Sequence, residues 1–325
     1  MAMKRMGQKS FADMLQLDHK SLEELDDIHE LIDWNSIDVI LSNIRTSTIG
    51  APAWPSLLMF KALMLQSWYN LSDPQLEKQL ARDLLFKRFV GLSVSDSVPD
   101  HSTLWRFRNL LEEKNLLTDI LEEINDQLAA HGLFIRSGAA SIIDASVVQA
   151  KNNRPKKGKN KGNTQDKEAS YNVKAGSDGK RKTTYGFKAH LNTDEDGLVK
   201  KASFTTGSEH DSQQFETLLT GTESEVYADS AYKSEKHDDL LKQRGVKNKI
   251  LHRRYRNKPL TAAQKKMNRM YSSIRSIVER TIGVLKLHYG LAQARYMGLA
   301  RNHARFLLCC IGHNIKRGEA IRSSI

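Results

Sequence analysis

The chain is poor in cysteine, in long apolar runs and, over its last third, in acids. Cys309 and Cys310 are the two cysteines among 325 residues. Adjacent to one another in an apolar stretch, they suit neither a disulfide framework nor a zinc site and are expected to be buried packing residues. The apolar run at 57–64 is interrupted by Lys61 and falls well short of the ~20 residues a membrane span needs. The start MAMKRMGQKS leads into no signal-peptide core, so a cytoplasmic chain with no membrane partner is the expectation. Hydrophobic residues at 39% and charged residues at 27% exclude a fibrous or wholly disordered chain. The length suggests one large domain plus a smaller one, and no internal repeat is apparent.

The scarcity of acids is local. The formal net charge of +12 divides into −7 for residues 1–150, +2 for 151–229 and +17 for 230–325. A region this basic repels itself unless a polyanion or counterions screen it, and nucleic acid is the commonest polyanion in a cell. A solvated basic face is the alternative.

The first part reads as helical. Residues 19–47 carry helical spacing with many acids, and Pro55 to Tyr69 holds an apolar stripe of Leu57, Leu58, Phe60, Leu63 and Met64 that suits a buried helix. Ser72 stands two residues before Pro74-Gln75-Leu76-Glu77, a helix start, and Asp100 can cap a helix over Thr103 to Glu113. Short helices joined by tight turns suggest a helix-turn-helix-like bundle. Its second helix would display Trp105, Arg106 and Arg108 to DNA, or use them in plain packing.

The character changes after Gly138. Ala139 to Ser146 reads as a short buried strand carrying Asp144, and residues 151–182 follow with eleven basic residues, three acids and almost no aliphatics. Tyr185 to Thr193 and Leu198 to Thr206 read as a hairpin around Asp194-Glu195-Asp196-Gly197. A helix from Asp211 or Ser212 to Leu219, with Asp211 as its cap, precedes a strand over Ser224 to Asp229. Lys247 to Leu251 suits a fifth strand, a basic loop with Arg253, Arg254, Arg256 and Lys258 follows, and a long helix runs from about Tyr271 to His288. Lys188 and His190 alternate onto one face of their strand, toward the site or at an edge-strand surface.

Three acids stand out. Asp144 interrupts an apolar strand, Asp229 ends another, and Glu279 is the only acid between Asp239 and Glu319. An isolated buried carboxylate is driven toward its neutral form, whereas a divalent cation or an arginine keeps it ionised. Metal binding and salt bridging are both open, the latter for Glu279 through Arg275, Arg280 or Lys286 on its own helix. Converging carboxylates suit Mg²⁺ and phosphoryl transfer. The order of strand, hairpin, helix, strand, strand and helix can fold into a mixed sheet flanked by helices with all three acids at one edge. That is a ribonuclease H-like α/β layout, preceded by an all-helical region.

Taken together, the segments PDHSTLWRFRNLL, IIDASVVQA, YGFKAHLNTDEDGLV, VYADSAYKS and IRSIVERTIGVLK resemble the DDE transposases of bacterial insertion sequences, in particular the large insertion-sequence-five type, over roughly residues 35–318. The resemblance implies a catalytic and metal-holding triad of Asp144, Asp229 and Glu279, with Mg²⁺ as cofactor and Mn²⁺ as a substitute. In related transposases Tyr, Arg, Glu and Lys follow one another along the glutamate helix with two, three and six residues between them. Here Arg275, Glu279 and Lys286 match, while Ser272 stands at the tyrosine position with Tyr271 one residue early. The implied partners are double-stranded DNA, as the element's terminal inverted repeats and the target, and a second copy of the chain in the DNA complex. DNA contacts would come from Lys188, Arg253, Arg254, Arg256, Arg275 and Lys286, with Arg106 and Arg108 from the helical part. The implied organisation is a tail and helix at 1–34, an end-binding or assembly domain at 35–135, a catalytic domain at 136–318 with the basic insertion 151–182, and a tail at 319–325. The implied setting is the bacterial nucleoid.

Overall fold

The computed structural model describes residues 20–44, 52–133, 140–152, 165–175, 181–255 and 259–324. Contacts divide the chain into two compact units, residues 1–131 with 307–325, and residues 132–306. The sequence suggested a boundary near residue 135 and a second region running to 318.

The first unit is helical. It contains α1 (Asp26–Leu31), α2 (Trp34–Leu41), α3 (Ser56–Trp68), α4 (Asp73–Arg82), α5 (Leu84–Val90), α6 (His101–Glu113) and α7 (Leu116–Ala130). The helix starts follow from capping. Ser72 and Gln75 form a capping box before α4, and the Asp100 carboxylate accepts from the Thr103 N–H at 2.9 Å before α6. The final helix, α11 (Leu299–Arg322), is divided between the two units, and its residues from Leu307 onward belong to the first. Cys309 and Cys310 are buried there, as their apolar setting predicts. Asn314 donates to Asn125 of α7 at 2.7 Å, so two buried amides satisfy one another instead of remaining unpaired.

One expectation is corrected here. Arg108 does not lie on a DNA-facing surface, because α6 turns Leu104, Phe107, Arg108 and Leu111 inward. The Arg108 guanidinium is 2% exposed and is bound by the Asp73 carboxylate and by Gln66 Oε1 at 3.2 Å. Trp105 and Arg106, on the opposite flank, are exposed.

The second unit is built on a mixed sheet of β1 (Ala140–Gln149), β2 (Ser170–Ala175), β3 (Arg181–Thr193), β4 (Val199–Thr206), β5 (Glu225–Ala228) and β6 (Lys247–Ile250). The order is β2-β3-β1-β5-β6, with β4 also paired to β3. β3 runs antiparallel to β1, β2 and β4, whereas β5 is parallel to β1 and β6 to β5. This is the ribonuclease H-like layout. The hairpin turn forms as its residues predict: the Asp194 N–H donates to the Leu198 carbonyl at 3.0 Å, and Gly197 takes φ +83°. β2 was not foreseen, because it lies in the Lys/Asn/Gly-rich insertion. It is a strand added to β3 by backbone pairing, from Ser170 opposite Gly186 to Ala175 opposite Arg181. Residues 153–164 and 176–180 of that insertion lie outside the described residues.

Helices cover both faces of the sheet. On one, Ile143, Val226, Ala228 and Ile250 pack with Phe215, Leu218, Tyr232 and Leu241, the first two of these from the short α8 (Phe215–Leu218) and Leu241 from α9 (Glu235–Gln243). On the other lies α10 (Ala262–Leu287), which buries Arg275, Val278, Thr281 and Leu285 at helical spacing. It starts well before the expected Tyr271 because Thr261 and Gln264 form a capping box. Gly186 fixes how closely β1 and β3 approach. A Cβ there would stand 2.0 Å from the Val148 carbonyl oxygen and 2.8 Å from the Ala150 nitrogen, both backbone atoms. Gly186→Ala is expected to destabilise this unit by about 1–3 kcal/mol, and an unchanged denaturant midpoint would refute this close approach.

Candidate active site

The two parallel strands β1 and β5 set the first two acids side by side. Ile143 pairs with Ala228, so the residues that follow them, Asp144 and Asp229, stand next to each other where β5 ends. The C-terminal end of a parallel strand is a usual place for a site, since neighbouring strands diverge there. Each aspartate is oriented by a local hydrogen bond: Asp144 Oδ1 accepts from the Ala145 N–H at 2.9 Å, and Asp229 Oδ1 from the Ser230 N–H at 2.6 Å.

Helix α10 brings the third acid and a cation. Arg275, 7% exposed, lies 3.4 Å from Asp144 Oδ2, 3.6 Å from Glu279 Oε1 and 4.0 Å from Asp229 Oδ1. One guanidinium thus touches acids from a strand, from a strand end and from its own helix. The Asp144 carboxyl is pushed up to about 6 by burial, opposed by Arg275 and by the Ala145 N–H, with Asp229 and Glu279 raising it further. The Arg275 Nε is buried without a hydrogen-bond partner.

The donor set fits a hard divalent cation, being made of carboxylate oxygens whose mutual repulsion favours a positive charge between them. Among the described residues no three His, Cys, Asp or Glu side chains already stand close enough together to hold an ion. The three acids surround Arg275 instead.

Other expected residues are placed as follows. Lys286, half-buried, shares a polar cleft of about 590 Å³ with Ser146, Gln149, Tyr171, Lys182 and Tyr185, two residues along β1 from Asp144. Arg253 and Arg254 are exposed, and Arg256 and Lys258 lie outside the described residues. Tyr271, one residue early for the signature, packs edge-on against Tyr227 of β5 with ring centroids 5.8 Å apart. It is four residues before Arg275 and so shares its sheet-facing stripe, where Ser272 is exposed.

Lys188 is a second correction. In the β1–β3 register Asp144 faces Leu191, whereas Lys188 is opposite Val147 and His190 opposite Ala145, which puts both on the other side of the sheet. The Lys188 ammonium is buried and donates to Asp211 Oδ1 at 2.8 Å and to the Glu209 carbonyl, so it is not presented to DNA. His190 Nε2 pairs with the Thr205 hydroxyl at 2.8 Å, and burial lowers its pKa to about 4. Asp211 is therefore the partner of Lys188 and not the helix cap. The 3₁₀ turn Asp211–Gln214 that leads into α8 is capped instead by His210, whose Nδ1 accepts from the Ser212 N–H at 3.3 Å.

A mixed sheet that sets an aspartate within β1 beside another just past the end of β5, with a glutamate on the helix packed over them, makes this a ribonuclease H-like α/β protein whose acid cluster suits phosphoryl transfer. Comparison with known families narrows this. Residues 136–315, more than half of the chain, match the model described as the transposase DDE domain, and residues 9–110 match one described as a transposase domain. The chain belongs to the DDE transposase family, an enzyme family of DNA transposition that uses divalent metal ions. Among solved structures, the "Mos1 transposase paired-end complex with left transposon end" and the "Crystal structure of the Mos1 Strand Transfer Complex" each share 12% identity with a TM-score of 0.20. The matches cover 86% of this chain, and 82% and 81% of those chains. Among the described residues no helix is long and apolar enough to cross a membrane.

Proposed function

We propose that this transposase binds the terminal inverted repeats of its own insertion sequence, cleaves them and joins the freed 3′ ends to target DNA, with Asp144, Asp229 and Glu279 as the metal-holding catalytic residues. The observation that carries the reading is the meeting of these three acids at Arg275. Mg²⁺, or Mn²⁺ in its place, would be held by the three carboxylates and would activate the attacking oxygen and stabilise the leaving one. Cleavage is an in-line attack of water on a phosphodiester, in which the P–O3′ bond breaks and the water proton is lost. Joining is the same displacement with the 3′ hydroxyl as nucleophile and a target 3′ oxygen as leaving group. One site therefore serves both steps.

The chain's own residues hold the substrate. Arg275 stands four residues before Glu279 and Lys286 seven after it, one and two turns away along α10, close enough to take phosphates next to the reacting one. Arg253, Arg254 and Arg256 add phosphate contacts from the loop before α10, and Arg106 adds one from the helical part, residues 35–135, which engages the element ends. Residues 136–318 carry the chemistry. Two ends must be joined together, so the active assembly is a dimer on DNA, working in the bacterial nucleoid.

The test joins labelled DNA ends flanking the gene to a supercoiled plasmid with Mg²⁺ or Mn²⁺, comparing wild type with Glu279→Gln. Joined product lost in the variant is the expected result. Cleavage with no joining would make the protein a nuclease, and selective binding with no chemistry would make it a regulator.

A further inference from the structure

Two of the buried arginines of this protein, Arg108 and Arg275, are held in opposite ways. Arg108 is gripped by Asp73 and Gln66, with its charge matched by one close carboxylate. Arg275 is also buried, yet its contacts to three carboxylates are 3.4, 3.6 and 4.0 Å, all longer than the 2.7–2.9 Å of a charge-assisted hydrogen bond. Its Nε has no partner. A buried arginine that settles on none of its acids and leaves a donor unmet is poorly satisfied as a structural ion pair. With all three acids ionised, the cluster also keeps two negative charges in excess of the one that Arg275 balances.

We propose that Arg275 is the resident cation of the acid cluster: without DNA its guanidinium holds the ground that a divalent ion takes later, and it exchanges from the carboxylates to a DNA phosphate when substrate arrives. This rests on the reading of the three acids as metal ligands. The exchange is favourable on both sides. A phosphate offers the planar guanidinium the bidentate partner that no single acid here supplies, and the vacated carboxylates gain a doubly charged cation for a singly charged one. Metal affinity and DNA affinity are then coupled, each raising the other by the same factor. A site arranged in this way stays weak for metal until DNA is bound.

Mn²⁺ binding, followed by electron paramagnetic resonance on the full chain, tests this without any turnover. A neighbouring unit charge shifts an ionisation equilibrium by one to three pKa units, so Arg275→Gln is expected to bind Mn²⁺ roughly tenfold more tightly or better in the absence of DNA. Arg275→Lys, which keeps the charge, is expected to stay near wild type. Addition of a short duplex carrying a flanking end, corrected for Mn²⁺ held by the DNA alone, should tighten binding in wild type and leave Arg275→Gln unchanged. Equal Mn²⁺ affinity in wild type and Arg275→Gln would overturn the exchange while leaving the acids as ligands. The wild-type comparison needs no variant, and equal affinity with and without DNA would also overturn it. Failure of every protein to bind Mn²⁺, with DNA or without, would overturn the metal reading of the acids and the exchange along with it.

Discussion

Asp144→Asn is expected to lower strand cleavage and joining by roughly 10³-fold or more while leaving the protein at least as stable as wild type at pH 8. The loss of rate follows from removing a carboxylate from a site whose cation is worth several kcal/mol in the transition state. The stability follows from the sign of the shift. Burial raises the Asp144 carboxyl from 3.8 to about 6, so the folded protein holds this proton more tightly than the unfolded chain. The stabilisation is complete below about pH 4 and is lost as pH rises through about 6. A shift of this size corresponds to up to about 3 kcal/mol. Asparagine resembles the protonated acid and escapes that loss, so the variant's melting temperature should match wild type near pH 4 and exceed it at pH 8. Melting curves at both values check this, and a variant that cleaves at the wild-type rate or melts lower at pH 8 would count against the assignment.

Arg108→Ala is expected to destabilise the helical unit by about 3–5 kcal/mol, because it leaves the Asp73 carboxylate, 13% exposed, without its buried counter-charge. Arg108→Lys should recover little of this, since a point charge cannot reach both Asp73 and Gln66 as a planar fork does. Arg106→Ala, two positions away on the exposed flank, should stay within about 0.5 kcal/mol of wild type. Urea midpoints for the three variants decide the matter. Weakened DNA binding by Arg108→Ala at unchanged stability would restore the surface role that the sequence suggested.

These two residues also mark where sequence reading succeeded and where it stopped. Asp144 was conspicuous because a charge in an apolar strand has few physical justifications, and its strand formed as expected. The inward position of Arg108 is not legible in the sequence, because helical spacing gives the relative angle of Trp105, Arg106 and Arg108 but not which of them turns inward. That choice depends on Asp73 and Gln66, 35 and 42 residues away in the chain. Lys188 failed similarly: alternation placed it with His190 on one face, but only the register with β1 shows that this face is opposite the acids. β2 escaped notice because a strand held by backbone pairing needs no apolar pattern of its own. The cap at Asp211 was lost to His210 because the carboxylate had a stronger partner in Lys188.

What the sequence determined by itself were the properties written in local chemistry: the helix caps at Ser72 and Asp100, the Asp194–Gly197 turn, the buried cysteines, the order of strands and helices apart from β2, and three acids in contexts that called for a cation. Tertiary structure alone decided what those acids meet. Asp144, Asp229 and Glu279 are separated by 85 and 50 residues, and no local pattern states that β5 pairs beside β1 or that α10 lays Arg275 among all three. Local propensity acts over a few residues, whereas the position of a charge relative to distant charges is set by sheet register and helix packing.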